Sequence, residues 1–110
     1  MIKRLLAQDG VLVVCQFRDD GAFVEGYGLM EDDQMHAFVS FAHDYKRIVQ
    51  GNADQLSMFT RLSGWTPPEG WIVHSGTRCV CSIANFVCLI DPAEASVKSV
   101  MEELKQLAHW

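Results

Sequence analysis

Four cysteines are the residues of this 110-residue sequence best equipped for chemistry: Cys15, Cys79, Cys81 and Cys88. A thiolate is both a nucleophile and a soft metal ligand. The last three fall in two apolar runs, 77–83 and 86–90, joined by Ala84-Asn85 alone. A two-residue connection between such runs specifies a β-hairpin. Ile83 then faces Phe86 and Cys81 faces Cys88, while Cys79 shares the side of Cys81 because strand side chains alternate. Three thiols would meet there, with His74 one strand away. A metal site made of Cys79, Cys81, Cys88 and His74 is disfavoured, because Cys-x-Cys on a strand is not the usual Cys-x2-Cys knuckle. A Cys81–Cys88 disulfide is within reach, although directly opposed cysteines often strain the bond. Against both stands the common use of free cysteine as a small core hydrophobe, which the sequence favours.

Other chemistry is sparse. His36 and His43 lie seven apart on one helix face, about 10 Å along the axis, too far for one metal ion. They read as solvated surface residues. His109 falls in the last turn of a final helix, where a cation merely suits the dipole. No Ser-His-Asp or Cys-His spacing, glycine-rich phosphate loop or paired carboxylate stands out. An enzyme is not expected, and neither is a cofactor or a resident metal. The segment Trp65-Thr66-Pro67-Pro68-Glu69-Gly70-Trp71 sets two Trp around a Pro-Pro pair. Those rings suit either a recognition edge or a lid on the core.

These residues need elements to hold them. Residues 32–62 read as one long helix with apolar positions at Met35, Phe38, Ala42, Tyr45, Val49, Leu56 and Phe59, and a second row at Phe41 and Ile48. The opposite side, with His36, Ser40, His43 and Arg47, is polar and expected to face water. Gly51-Asn52 predicts a kink or short break, since Gly costs about 1 kcal/mol inside a helix. Ahead of this helix, Ile2, Leu5 and Leu6 share the face of a short first helix. Val11 to Phe17 is a buried strand, and Ala22 to Leu29 is its hairpin partner, with Phe23, Glu25 and Tyr27 on one face. The glycines at 26 and 28 suggest close packing against that partner strand. After the long helix, runs 71–75, 77–83 and 86–90 make a meander. Asp91-Pro92-Ala93-Glu94 reads as a helix start, and Val97, Val100, Met101, Leu104 and Leu107 form that helix's stripe.

The formal charge of −5 argues against nucleic acid and anionic membranes, which attract positive faces. Two basic residues before Leu5-Leu6-Ala7 do not make a secretory leader, and no run is long enough to span a bilayer. A cytoplasmic protein with reduced thiols is expected.

The succession helix, two strands, long helix, three strands, helix resembles the roadblock family. This is the dynein light-chain and Ras-like GTPase regulator group within the profilin-like and longin-like folds. The likeness rests on the opening hairpin, Gly10-Val11-Leu12-Val13-Val14 through Asp19-Asp20-Gly21-Ala22, on the long helix, and on the meander from Trp71 to Ile90 with its Asp91-Pro92 helix. It covers nearly the whole chain and is similar to an uncharacterised bacterial branch, some of it encoded near sulfur-oxidation genes. It implies an α+β fold over residues 1–110: one five-stranded antiparallel sheet ordered 2-1-5-4-3, the long helix on one face and the terminal helices on the other. It also implies a homodimer built through the long helix and third strand, and a non-enzymatic scaffold for a small GTPase or a larger complex. Residues 52–68 look longer than the fold requires. The residues expected at a dimer or partner interface are Phe38, Phe41, Tyr45, Ile48, Leu56, Phe59, Trp65, Trp71 and Val73. A second reading makes the chain a thiol-bearing accessory of sulfur or redox metabolism, using Cys79, Cys81 or Cys88.

Overall fold

The computed structural model describes the backbone of residues 2–60 and 70–108, and side chains for 2–49 and 70–108. A 3-10 helix at Ile2–Ala7 opens the chain. It is followed by β1 (Val11–Phe17), β2 (Phe23–Gly28), α1 (Asp32–Thr60), β3 (Gly70–His74), β4 (Cys79–Ile83), β5 (Phe86–Ile90) and α2 (Val97–Ala108). The strands form one sheet ordered β2-β1-β5-β4-β3, antiparallel throughout, as the resemblance implies.

Each face of the sheet has its own apolar layer. On one, Val11, Val14, Cys79, Cys81, Ile83, Cys88 and Ile90 meet Ile2 and Leu5 of the 3-10 helix and Val100, Leu104 and Leu107 of α2. On the other, Val13, Cys15, Phe17, Trp71 and Val87 meet Met35, Val39 and Ala42 of α1. β1 therefore serves both faces, as its nearly unbroken apolar run requires.

Four local expectations change. First, pairing of β1 with β2 slips between Gln16 and Phe17, so Val24 bulges out. A bulge inserts one residue and flips what precedes it. Phe23 therefore packs under α1, while Tyr27 lies on the α2 side beneath the Lys3 ammonium, instead of sharing one face. Second, α1 runs without a break through Gly51-Asn52 to Thr60; one glycine's cost is too small to interrupt an otherwise helical run. Residues 61 and 62, expected to finish it, lie outside the described residues. Third, α2 starts at Val97 rather than at Pro92. Asp91 caps only a turn, its carboxylate accepting from the Ala93 N–H, and Ser96 caps the helix by accepting from Ser99. The turn presses Ala95 against Gly10, leaving no room for a straight helix there. Fourth, the strand expected over 77–83 begins only at Cys79.

At its start, α1 is fastened reciprocally. Gln34 accepts from the Glu31 N–H, and the Glu31 carbonyl accepts from the Met35 N–H. Gly26 explains how close α1 comes to β2, since a Cβ there would stand 2.8 Å from Met35 Sδ.

Candidate functional site

The thiols assemble as their register predicts. Cys81 pairs with Cys88 across the β4–β5 hairpin, and Ile83 with Phe86. Cys79 Sγ lies 3.9 Å from Cys81 Sγ. All four cysteines are free and fully buried, Cys15 apart from the others under α1. Burial pushes the Cys15 and Cys79 thiols up to about 11, with Cys81 adding to the rise at Cys79. Cys88 donates to Cys81, which lowers Cys81 and raises Cys88 well above the ordinary thiol range. Among the described residues no group of His, Cys, Asp and Glu is placed to hold a metal. His74, the fourth member of the disfavoured metal set, pairs with Cys79 in register but is exposed at the sheet end. The 3-10 helix and α2 roof the thiols with Leu5, Val100 and Leu104. This is a packed interior rather than a reactive cleft.

The two flanks of α1 differ. On the β2 side, His36 stacks on Phe23 with ring centroids 4.5 Å apart, and its Nδ1 donates to the Asp32 carbonyl. His43 is largely covered. Its Nε2 donates to the Asp19 carbonyl at 2.9 Å and its ring sits edge-on to Phe17. The histidine face expected to meet water is thus partly a contact with β2 and the β1–β2 turn. The bulge that turns Phe23 toward α1 creates the His36 part of that contact. Asn85 joins the same fastening, donating to the Asp19 carboxylate and accepting from the Lys46 ammonium.

The β3 side carries the apolar surplus. Phe41, Tyr45 and Trp71 form a tight aromatic group, with Tyr45 and Trp71 centroids 4.6 Å apart. Trp71 is buried, and its indole N–H has no acceptor among the described residues. Its ring packs into the α1-side core. Phe41 remains 42% exposed and Ile48 58%. Phe38, Tyr45 and Val73 are half-buried around the same layer. The structure gathers four of the expected interface residues, Phe38, Phe41, Tyr45 and Val73, around Trp71, and Ile48 lies exposed further along α1. The side chains of Leu56 and Phe59, and Trp65 altogether, lie outside the described residues.

Beyond Phe38 and Phe41 an open groove of about 670 Å³ runs along α1. Leu29, Met30 and Ala37 line it, over Val80 and Leu89 of the sheet. Leu29 is 82% exposed. Sequence reading assigned none of these five residues a role. The available signal was Leu29-Met30 itself, two large apolar residues after the strand-ending Gly28 and before the acidic helix cap. Ile72, exposed on the outer strand β3, was missed as well.

Comparison with solved structures recovers this architecture. A Roadblock/LC7 domain from Streptomyces avermitilis is 11% identical with a TM-score of 0.74, over 96% of this chain and 87% of that one. A structure described as MglB with tetrameric arrangement is 10% identical with a TM-score of 0.72, over 97% and 78%. Myxococcus xanthus MglB is 12% identical with a TM-score of 0.64, over 90% and 84%. Residues 1–106 match the family described as an uncharacterized conserved protein, DUF2173. Comparison with curated proteins returns no match. No helix among the described residues is long and apolar enough to cross a membrane.

Proposed function

The chain belongs to the DUF2173 family of uncharacterized conserved proteins and has a roadblock-type fold, and from that premise we propose that it is a homodimeric, non-enzymatic scaffold of the cytoplasm. Its one domain would serve as a platform for a small Ras-like GTPase or a larger complex. The observation that carries this reading is the exposed Phe41–Ile48 row of α1, on the flank nearest β3. The two sheet edges are not equivalent. β2 is interrupted by its Val24 bulge, which discourages pairing, whereas β3 pairs regularly with β4 and has no strand on its other side among the described residues. A second copy joined edge to edge at β3 would extend the sheet and bring the two α1 flanks together in a self-complementary contact. A tetrameric arrangement is described for one structurally similar MglB, which supports self-association as a property of this architecture.

Ile48→Asp should turn the dimer into a folded monomer, because Ile48 projects from the surface and contributes little to the core. Tyr45→Asp should do the same or leave the protein insoluble. Light scattering and circular dichroism together read the outcome. A dimer of unchanged mass in both variants would count against this surface. The GTPase arm is separate. A Ras-like GTPase from the same organism, loaded with GDP or a non-hydrolysable GTP analogue, should bind in a nucleotide-dependent way. No binding in either state would remove GTPase regulation and leave the scaffold standing.

A further inference from the structure

The groove at the N-terminal end of α1 adjoins the Tyr45–Ile48 surface and shares Phe38 and Phe41 with it, while Leu29, Met30, Ala37, Val80 and Leu89 belong to the groove alone. Among the described residues its walls and floor are nearly all apolar, and Gln34 is the one polar side chain lining it. It is an open trough, and it lacks the convergent polar groups that orient a small molecule. Its rim is acidic. Glu31, Asp32 and Asp33 follow directly on Leu29 and Met30, and all three are exposed. Residues 19–45 hold seven of the chain's fourteen acidic residues and no lysine or arginine. Arg78, close by in sequence to Val80, has its guanidinium 4.0 Å from the Asp91 carboxylate and so does not offset that rim.

We propose that this groove docks a basic amphipathic helix of a partner protein. Aliphatic or Met anchors at i, i+3 or i+4 and i+7 seat over Val80, Leu89 and Phe38, and Lys or Arg side chains meet the carboxylates of Glu31, Asp32 and Asp33. A second copy of the chain is the poorer occupant, because a two-fold contact there would set one acidic rim against another. An anionic lipid surface is repelled for the same reason. The inference rests on the scaffold reading and gives its partner a chemical description.

The test uses a fluorescein-labelled 18-residue peptide with Leu at helical anchor spacing and Lys elsewhere, titrated with the full chain by fluorescence anisotropy. Micromolar binding that weakens with added salt is expected, and a peptide with Glu in place of Lys should bind at least tenfold more weakly. Leu29→Arg and Ala37→Arg replace exposed residues. Each should lower affinity at least tenfold while the circular dichroism spectrum and mass stay unchanged. Equal binding by wild type and both variants, or by both peptides, overturns the proposal. So does a halved mass for Ala37→Arg, which would show a second copy in the groove. Ile48→Asp should keep peptide binding even as a monomer, so loss of the dimer and loss of the groove are read independently.

Discussion

Both faces of the sheet carry a helix, yet the chain finishes only one of them. On the α2 side, α2 and the 3-10 helix together close over β1, β4 and β5. The Arg4 guanidinium pairs with the Glu103 carboxylate to join those two helices at their margin. On the α1 side one helix covers Val13, Cys15, Phe17 and Val87. It leaves Leu29, Phe41 and Ile48 in water, with a groove between. Of the five large apolar residues exposed among the described residues, these three lie on or beside α1. The α2 face therefore reads as stability and the α1 face as recognition, and each experiment below is aimed at that division.

The largest contrast should come from truncating one residue on each side. Leu104 is fully buried on the inner face of α2, in the cluster that holds the thiols, so Leu104→Ala should cost about 3 kcal/mol in urea unfolding. Ile48→Ala should cost well under about 1 kcal/mol at a concentration where the chain is monomeric, since most of its side chain is already solvated. The dimer should suffer instead, with a weaker association constant by sedimentation. Similar stability losses in the two variants would abolish the division between a structural and a recognition face.

A smaller effect should appear in alkali, and it applies to both layers. A thiol raised by burial holds its proton more firmly in the folded chain than in the unfolded one. Its contribution to stability is complete below about pH 9, the unfolded value, and is lost as pH rises through about 11 for Cys15 and Cys79. Thermal melts should fall between pH 8 and pH 10.5, and Cys15→Ala should flatten part of that fall. At pH 8 an aromatic disulfide reagent should find no reactive thiol in native protein and all four in urea. Rapid native reaction at Cys79, Cys81 or Cys88 would instead revive the thiol-accessory reading, because the α2 roof would then be opening.

Much of this arrangement was legible from residue order. The Ala84-Asn85 connection alone sets Cys81 opposite Cys88 and puts Cys79 beside them, and the apolar spacing of α1 marks Met35, Ala42 and their neighbours as its inner face. The strand order came with the resemblance. The bulge at Val24 was not legible: an extra residue in a ladder is decided by which partner side chains fit, and nothing in Ala22-Phe23-Val24 announces it. Because the bulge turns Phe23 toward α1, it also gives His36 an aromatic partner, while His43 packs on Phe17 and the Asp19 carbonyl. The start of α2 was misplaced because Asp91-Pro92 satisfies every local rule for a helix cap. The contact of Ala95 with Gly10, eighty-five positions earlier, overrides them. The groove was missed because its parts come from four segments that share no periodic signal.

The β4–β5 turn joins the two layers. Ala84 packs toward the α2 side, while Asn85 reaches Lys46 of α1 and Asp19 of the opposite turn. Its backbone carbonyl also accepts from Phe17. Ala84 adopts φ 53°, in the left-handed region that costs a residue with a Cβ about 1–2 kcal/mol. Glycine would relieve that strain but add about 0.5–1 kcal/mol of chain entropy to be lost on folding. Ala84→Gly should therefore gain only a few tenths to about 1 kcal/mol in urea unfolding. It should leave dimerisation and the peptide affinity of the groove unchanged, since neither surface includes the turn. A marked loss of stability would mean that the Ala84 methyl group does more for the α2-side core than its backbone strain costs. A change in peptide affinity would mean that the sealed face and the open face communicate through this turn, and the division between them would have to be redrawn.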